Sequence, residues 1–240
     1  ARLRARRISG VRPGQGRHPS QWPICGRVLV DSAQGSCLRI RQGHGRSPPQ
    51  AHTSPDVRCP DPSIVEKIKG EIMRAKSEGD SLGGVVECTA LNMPIGLGEP
   101  VFSALESDLS KALFGIPAVK GVEFGSGFEG VKKRGSENND IYKVKNNKII
   151  TMTNNSGGIL GGLSTGMPLL LRIAFKPASS IAKKQQSIDL ENMKETEISV
   201  PGRHDPCVVP RAPPVVEAIV AIILADHAIK YGLIPPVLKR

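Results

Sequence analysis

Three stretches of this chain combine residue types that could do chemistry. Residues 203–207 read RHDPC, with an arginine, a histidine and an aspartate side by side. They offer a bidentate anion clamp, a titratable imidazole and a carboxylate. Taken alone, such a triplet is more often an ion-pair cluster. Residues 176–180 read KPASS. A lysine and two hydroxyls on a proline-stiffened turn can hold a phosphate through charge and short O–H bonds. An ordinary polar turn would look the same. Residues 154–166 read NNSGGILGGLSTG, with Gly157, Gly158, Gly161, Gly162 and Gly166. Glycine lets a backbone approach a flat or anionic ligand closely. Ile159 and Leu160 at the centre predict a packed loop. No Lys-Ser/Thr follows the glycines, so this is neither a dinucleotide fingerprint nor a P-loop.

The elements that position these stretches are legible from residue 56 on. Asp61 followed by Pro62 predicts a helix start, because a proline lacking its N–H loses nothing there. Ile64, Ile68 and Ile72 then form one buried stripe, and Gly79 is a helix stop. Residues 84–91 read as a strand and 92–100 as a loop. A second helix places Val101, Leu105, Leu109, Ala112 and Leu113 on one face and closes at Gly115 and Pro117. Strands are expected at 119–124, 148–153 and 168–175, with Pro168 at the start of the last. A final helix spans about Pro214 to Tyr231, with Gly232 as its stop. It is apolar nearly all round, which predicts burial in the body of the fold or at a subunit interface.

Composition limits the function classes. Only 3% of residues are aromatic, so the core is aliphatic. The five cysteines, Cys25, Cys37, Cys59, Cys88 and Cys207, are odd in number and irregularly spaced. This argues against a disulfide framework or a metal site and for a reduced, cytoplasmic setting. The apolar stretch 215–229 carries Glu217, Asp226 and His227 and is expected to fall short of a membrane span. The net charge is +11, yet the first 55 residues hold ten Arg, no Lys and one acid, Asp31. That segment alone carries +9. Its Arg, Pro, Gly and Ser content reads as a basic disordered arm or as an out-of-frame translation. Trp22 is the only aromatic residue there, so a stacking platform for nucleic acid is absent.

Taken together, the later segments resemble one family. CPDP at 59–62, EGDSLGG at 78–84, PIGLGEPVF at 94–102 and AVKGVEFGSGF at 118–128 follow the order of the chorismate synthases. So do RGSENND at 134–140, NNSGGILGG at 154–162, KPASSI at 176–181 and GRHDPCVVPRAPPVVEA at 202–218. The resemblance covers residues 56–240. It implies a mixed α/β fold, a β-α-β sandwich that is incomplete here, in a homotetramer. It implies 1,4-elimination of phosphate from 5-enolpyruvylshikimate 3-phosphate to give chorismate, with reduced FMN and, in some members, NADPH as reductant. By position, Pro117, Ala118, Gly161, Lys176, Pro177, Ala178, Ser179 and Ser180 match flavin contacts. Arg203 matches an arginine at the flavin and the substrate phosphate. Asp205 matches the aspartate that assists proton transfer at the flavin, and His204 between them reads as structural. Pro117 stands where Asn is frequent and Ala178 where Thr is common; backbone contacts survive both changes.

The family's SHG motif, RRPGQ segment, second histidine and GGGRSS loop have no secure match. VRPGQGRHPSQ at 11–21 and HGRSP at 44–48 are similar to two of them at the wrong spacing. No role is carried onto Arg12, Arg17, His18, His44, Arg46 or His52. The chain therefore divides into 1–55, outside the family pattern, and 56–240, its C-terminal portion. Expressed as written, it is expected to be poorly soluble and inactive, because the retained strands would expose unpaired edges. The other readings are a remnant that binds flavin or phosphate weakly, and a polyanion-binding protein acting through residues 1–55.

Overall fold

Pro62 opens the first helix, as a proline at the first helical position should. The computed structural model describes residues 24–25, 30–33, 37–40, 57–59 and 62–234, the first three groups as backbone only. Asp61 and the Ile64 side chain lie outside what is described. In chain order the elements are β1 (Ile24–Cys25), β2 (Val30–Ala33), β3 (Cys37–Ile40), α1 (Pro62–Ser77), β4 (Gly83–Ala90) and α2 (Leu105–Phe114). Next come β5 (Val119–Phe124), α3 (Gly135–Asn138), β6 (Tyr142–Lys145), β7 (Lys148–Thr151), β8 (Ile159–Leu160) and β9 (Leu163–Ser164). Then follow β10 (Leu169–Phe175), β11 (Gln185–Asp189), β12 (Lys194–Ile198) and α4 (Ala212–Lys230).

Helix α1 ends as its glycine predicts. Gly79 sits at φ +67°. The Gly79 N–H donates to Lys76 O and the Asp80 N–H to Ala75 O, at 3.2 and 2.9 Å. This paired arrangement satisfies carbonyls that the helix end would otherwise orphan.

The main sheet has the order β2-β3-β4-β10-β5, with β1 also on β4. Among its described strands only the β3–β4 pairing is parallel. Three of its strands thus come from the Arg-rich first segment. Strand β10 lies between β4 and β5, antiparallel to both. Its alternation is strict: Leu169, Leu171, Ile173 and Phe175 are buried, and the residues between them are half-buried. The inner face packs with Leu105, Leu109 and Leu113 of α2 and with Val216, Val220 and Leu224 of α4 in one core. On the outer face, between Leu170 and Ala174, the Arg172 Nε donates to Glu123 Oε1 at 2.8 Å. The architecture is mixed α/β, as expected.

Two expectations change. Val101 does not belong to α2; Glu99 and Ser103 exchange backbone hydrogen bonds around it, and the turn leaves it exposed. The helical segment Val209–Lys230 is long and apolar enough to cross a membrane, contrary to the reading of 215–229. Two upstream turns extend it beyond the stretch judged by sequence. Here, however, its inner face is core, and the nearly fully buried His227 (1% exposed) sets Nε2 3.1 Å from Asp108 Oδ2 of α2. Val215, Ile222 and Ile229 remain outside.

Candidate functional site

Strand β10 delivers its C-terminal end to one edge of the molecule, and most of the candidate residues gather there. The Lys176 N–H donates to Ala118 O at 2.8 Å, joining residues 117–118 to the turn at 176–180. Ala118 is at φ +70°, a left-handed backbone that a residue with a Cβ normally avoids. The connector between α1 and β4 holds the remaining parts. Ser81 Oγ donates to Ala178 O at 2.6 Å. The Leu82 N–H donates to Pro206 O at 2.8 Å, and Leu82 bridges to Cys207. Gly83 lies so close to β10 that a Cβ would collide with Phe175 O and reach 2.9 Å from Pro177. Residues 81–83 therefore clamp the 176–180 turn on one side and the 205–207 segment on the other.

The donors at this edge are unspent. Lys176, Pro177, Ser179, Ser180 and Arg203 are exposed, with Ala178 half-buried. Among the described residues, the Lys176 ammonium, the Ser179 and Ser180 hydroxyls and the Arg203 guanidinium make no hydrogen bond or ion pair. Asp205 is held instead: Oδ2 pairs with Arg211 Nη2, and Oδ1 accepts the Cys207 N–H at 3.3 Å. His204 Nε2 lies 2.6 Å from Val200 O, and since a carbonyl accepts, that nitrogen is the donor. Burial pushes the Cys207 thiol up to about 11, so it stays protonated and is no nucleophile. Such a turn, with charge and hydroxyls free, fits a phosphate.

Gly161 is placed elsewhere. Strands β8 and β9 form a hairpin whose two-residue turn is Gly161–Gly162, at φ +61° and +84°. Gly162 O accepts the Leu105 N–H at 3.0 Å, seating the hairpin on the first turn of α2. Gly161 is exposed, with no atom within 4 Å of where a Cβ would stand. Its space is open to a flat ligand. This hairpin, however, leads into the N-terminal end of β10, and seven strand residues span about 20 Å. Within one chain, Gly161 and Lys176 lie at opposite ends of the sheet.

Sequence reasoning assigned no role to the residues that hold these loops. Asp140 is the clearest. Its Oδ1 accepts Thr153 Oγ1 at 2.6 Å and the Asn155 N–H at 2.7 Å. Its Oδ2 accepts the Ser156 N–H at 2.9 Å and Ser156 Oγ at 2.7 Å. Burial alone would raise this carboxyl, but the donors from Thr153, Ser156 and Asn155 outweigh it and hold it below its usual value. Ser81, Gly83 and Arg211 also went unassigned. A glycine and a serine flanking an apolar strand signal only a turn, and their partners are far away in sequence. The histidines and arginines of the first segment considered above lie outside the described residues.

Comparison with known proteins places this arrangement. The family model for chorismate synthase matches residues 26–229, beginning inside the Arg-rich segment. A chorismate synthase of Dehalococcoides mccartyi is 54% identical over 185 residues, covering 77% of this chain and 51% of the relative. That of Archaeoglobus fulgidus is 57% identical over 186 residues, covering 78% and 51%. A crystal structure of chorismate synthase superposes with a TM-score of 0.59 at 33% identity, covering 72% of this chain and 45% of that one. The chain thus spans about half the length of the curated relatives it matches. With the family model covering residues 26–229 and a relative 54% identical over 185 residues, the chain belongs to the chorismate synthase family.

Proposed function

We propose that this chain supplies one wall of the site of a chorismate synthase, a lyase of the shikimate pathway. The reaction is 1,4-elimination of phosphate from 5-enolpyruvylshikimate 3-phosphate. The C–O bond to phosphate breaks, a ring C–H gives up its proton, and a second ring double bond forms. The observation that carries this reading is the edge where 117–118, 176–180 and 205–207 meet with their donors unspent. The residues fit a flavin phosphate or a substrate phosphate. Lys176, Ser179, Ser180 and Arg203 neutralise and orient the anion, and backbone at Pro117, Ala118, Pro177 and Ala178 gives close approach. Asp205, oriented by Arg211 and the Cys207 amide, takes or relays a proton through its carboxylate oxygens. Reduced FMN, when bound, supplies the electron density that the departing phosphate requires. NADPH is a candidate reductant. Gly161 joins the same site only when a second copy brings its hairpin there, which the proposed homotetramer allows. A reducing, cytoplasmic setting suits Cys59, Cys88 and Cys207, which are buried and not in disulfides.

Anaerobic titration with reduced FMN tests the reading. Wild-type chain is expected to bind, and inorganic phosphate to compete. Lys176→Ala and Arg203→Ala are each expected to weaken binding by about tenfold or more, the worth of a charge-assisted hydrogen bond. Affinity unchanged in both variants would remove the edge from the site.

A further inference from the structure

The carboxylate oxygens of Asp205 stand in different surroundings. Oδ2 is closed to solvent and makes no hydrogen bond among the described residues. Its ion pair with Arg211 Nη2 is what balances its charge. Oδ1 accepts the Cys207 N–H at 3.3 Å, a long bond. A carboxylate oxygen has two lone pairs, so Oδ1 keeps one for a further partner. The Asp205 side chain is 30% exposed, and none of that exposure lies on Oδ2.

Arg211 is fixed from behind. It ends a single 3₁₀ turn, Val209–Arg211, and immediately precedes α4. Val209 in that turn is fully buried, and the Arg211 N–H donates to Val208 O at 3.1 Å. The backbone is therefore anchored in the core, while the side chain, 72% exposed, reaches back to Asp205.

A carboxylate oxygen cut off from water is costly unless a cation meets it. An arginine beside an aspartate favours the ionised form, and removing the arginine leaves the closed-off oxygen unpaired. Among the described residues no other charged side chain contacts Asp205. Arg203 and Lys176 make no ion pair, and His204 donates to Val200 O. On the connector after α1, Asp80 pairs with Lys183 at 3.2 Å. On α4, Glu217 faces Arg58.

We propose that Arg211 is the positioning residue of this edge. It takes Oδ2 out of play, keeps the carboxylate ionised, and leaves Oδ1 as the one atom through which Asp205 accepts a proton. In that step an O–H bond forms at Oδ1, the donor keeps the electron pair of the bond that breaks, and Asp205 becomes neutral. The proposal rests on the reading of this edge as the site of the elimination, and it adds the reacting atom and the residue that selects it.

Carbon-13 NMR of the whole chain, labelled at the aspartate carboxyls, tests it. Asp205→Asn identifies the Asp205 signal by its loss. In the wild-type chain this carboxyl is expected to titrate below the ordinary aspartate value of about 3.9, because the ion pair outweighs the burial of one oxygen. In Arg211→Gln the midpoint is expected to rise by about one pH unit or more. Arg211→Lys keeps the charge and is expected to return most of that shift. A side chain that only packed would alter the thermal midpoint without moving this titration, and lysine would restore nothing. A wild-type midpoint at or above the ordinary value would overturn the proposal, and it decides the matter even where Arg211→Gln fails to fold. Coincident profiles for wild type and Arg211→Gln would overturn it too, as would Arg211→Lys behaving like Arg211→Gln. Anaerobic titration of the wild-type chain with reduced FMN is read separately. Absence of binding there, with the carboxyl profiles as expected, would remove the flavin reading and leave the Arg211–Asp205 assignment; binding with coincident profiles would do the reverse.

Discussion

Asp140→Ala is expected to destabilise the chain by about 2–4 kcal/mol and to free the loop at 153–158. The estimate takes about 1 kcal/mol net for each hydrogen bond lost. Four donors converge on this carboxylate: the Thr153 and Ser156 hydroxyls and the Asn155 and Ser156 N–H groups. Removing it strands two backbone N–H groups that no neighbouring acceptor replaces. The loop it holds is locked further by Gly125, whose N–H donates to Leu170 O at 2.9 Å, and by Ser126, whose N–H donates to Asn155 O at 2.8 Å. Urea unfolding reads the loss, and hydrogen exchange at 155–158 places it. Asp140→Asn should fall between, since its amide keeps one acceptor oxygen. The pH dependence follows from the depressed carboxyl. Its contribution is complete above the unfolded-state value near 3.8 and is lost as pH falls through the lower folded value. The wild-type chain should therefore lose more stability on acidification below pH ~4 than Asp140→Ala does. Parallel acid profiles in the two chains would mean that the cluster carries no net stability.

Gly98→Ala is expected to cost about 3 kcal/mol or more, against about 1–2 kcal/mol for Gly161→Ala. Both glycines have positive φ, +128° and +61°. At Gly98 a Cβ would collide with Gly162 O and come within 3.3 Å of the Leu105 N–H. That carbonyl is the one seating the β8–β9 hairpin on α2, so the methyl forces the hairpin off the helix end. At Gly161 nothing stands in the way and only the backbone preference is violated. Thermal midpoints of the two variants separate crowding from φ. Equal losses would show that the close approach at Gly98 relaxes freely. The Gly161 variant also probes the site, because a methyl on its open side stands where a flat ligand would lie.

Much of the fold was legible because its signals are local. Period-four leucines at 105, 109 and 113 gave α2 its buried face, and the apolar run after Pro168 gave β10. Proline and glycine punctuation at Pro62, Gly79 and Gly232 set helix ends. Val101 was misassigned because it matches the helical period while the turn at Glu99–Ser103 forbids continuing the helix. The apolar character of α4 was plain, but its hydropathy could not show that one face meets α2 and the sheet while Val215, Ile222 and Ile229 stay outside.

By itself the sequence determined the family and the residue types available for chemistry. Its motifs are short runs whose order survives without reference to three dimensions. Only the tertiary structure decided which of those runs share a site. The antiparallel registers β4–β10 and β10–β5 bring Ala118, Ser81, Lys176 and Cys207 to one end of the sheet. The same registers send Gly161 to the other end. Pairing between strands tens of residues apart is set by burial of a whole sheet face, and no local pattern encodes it. Asp140 illustrates the same limit. Its partners stand 13–16 residues away, and only the folded loop brings them within hydrogen-bonding distance of one carboxylate.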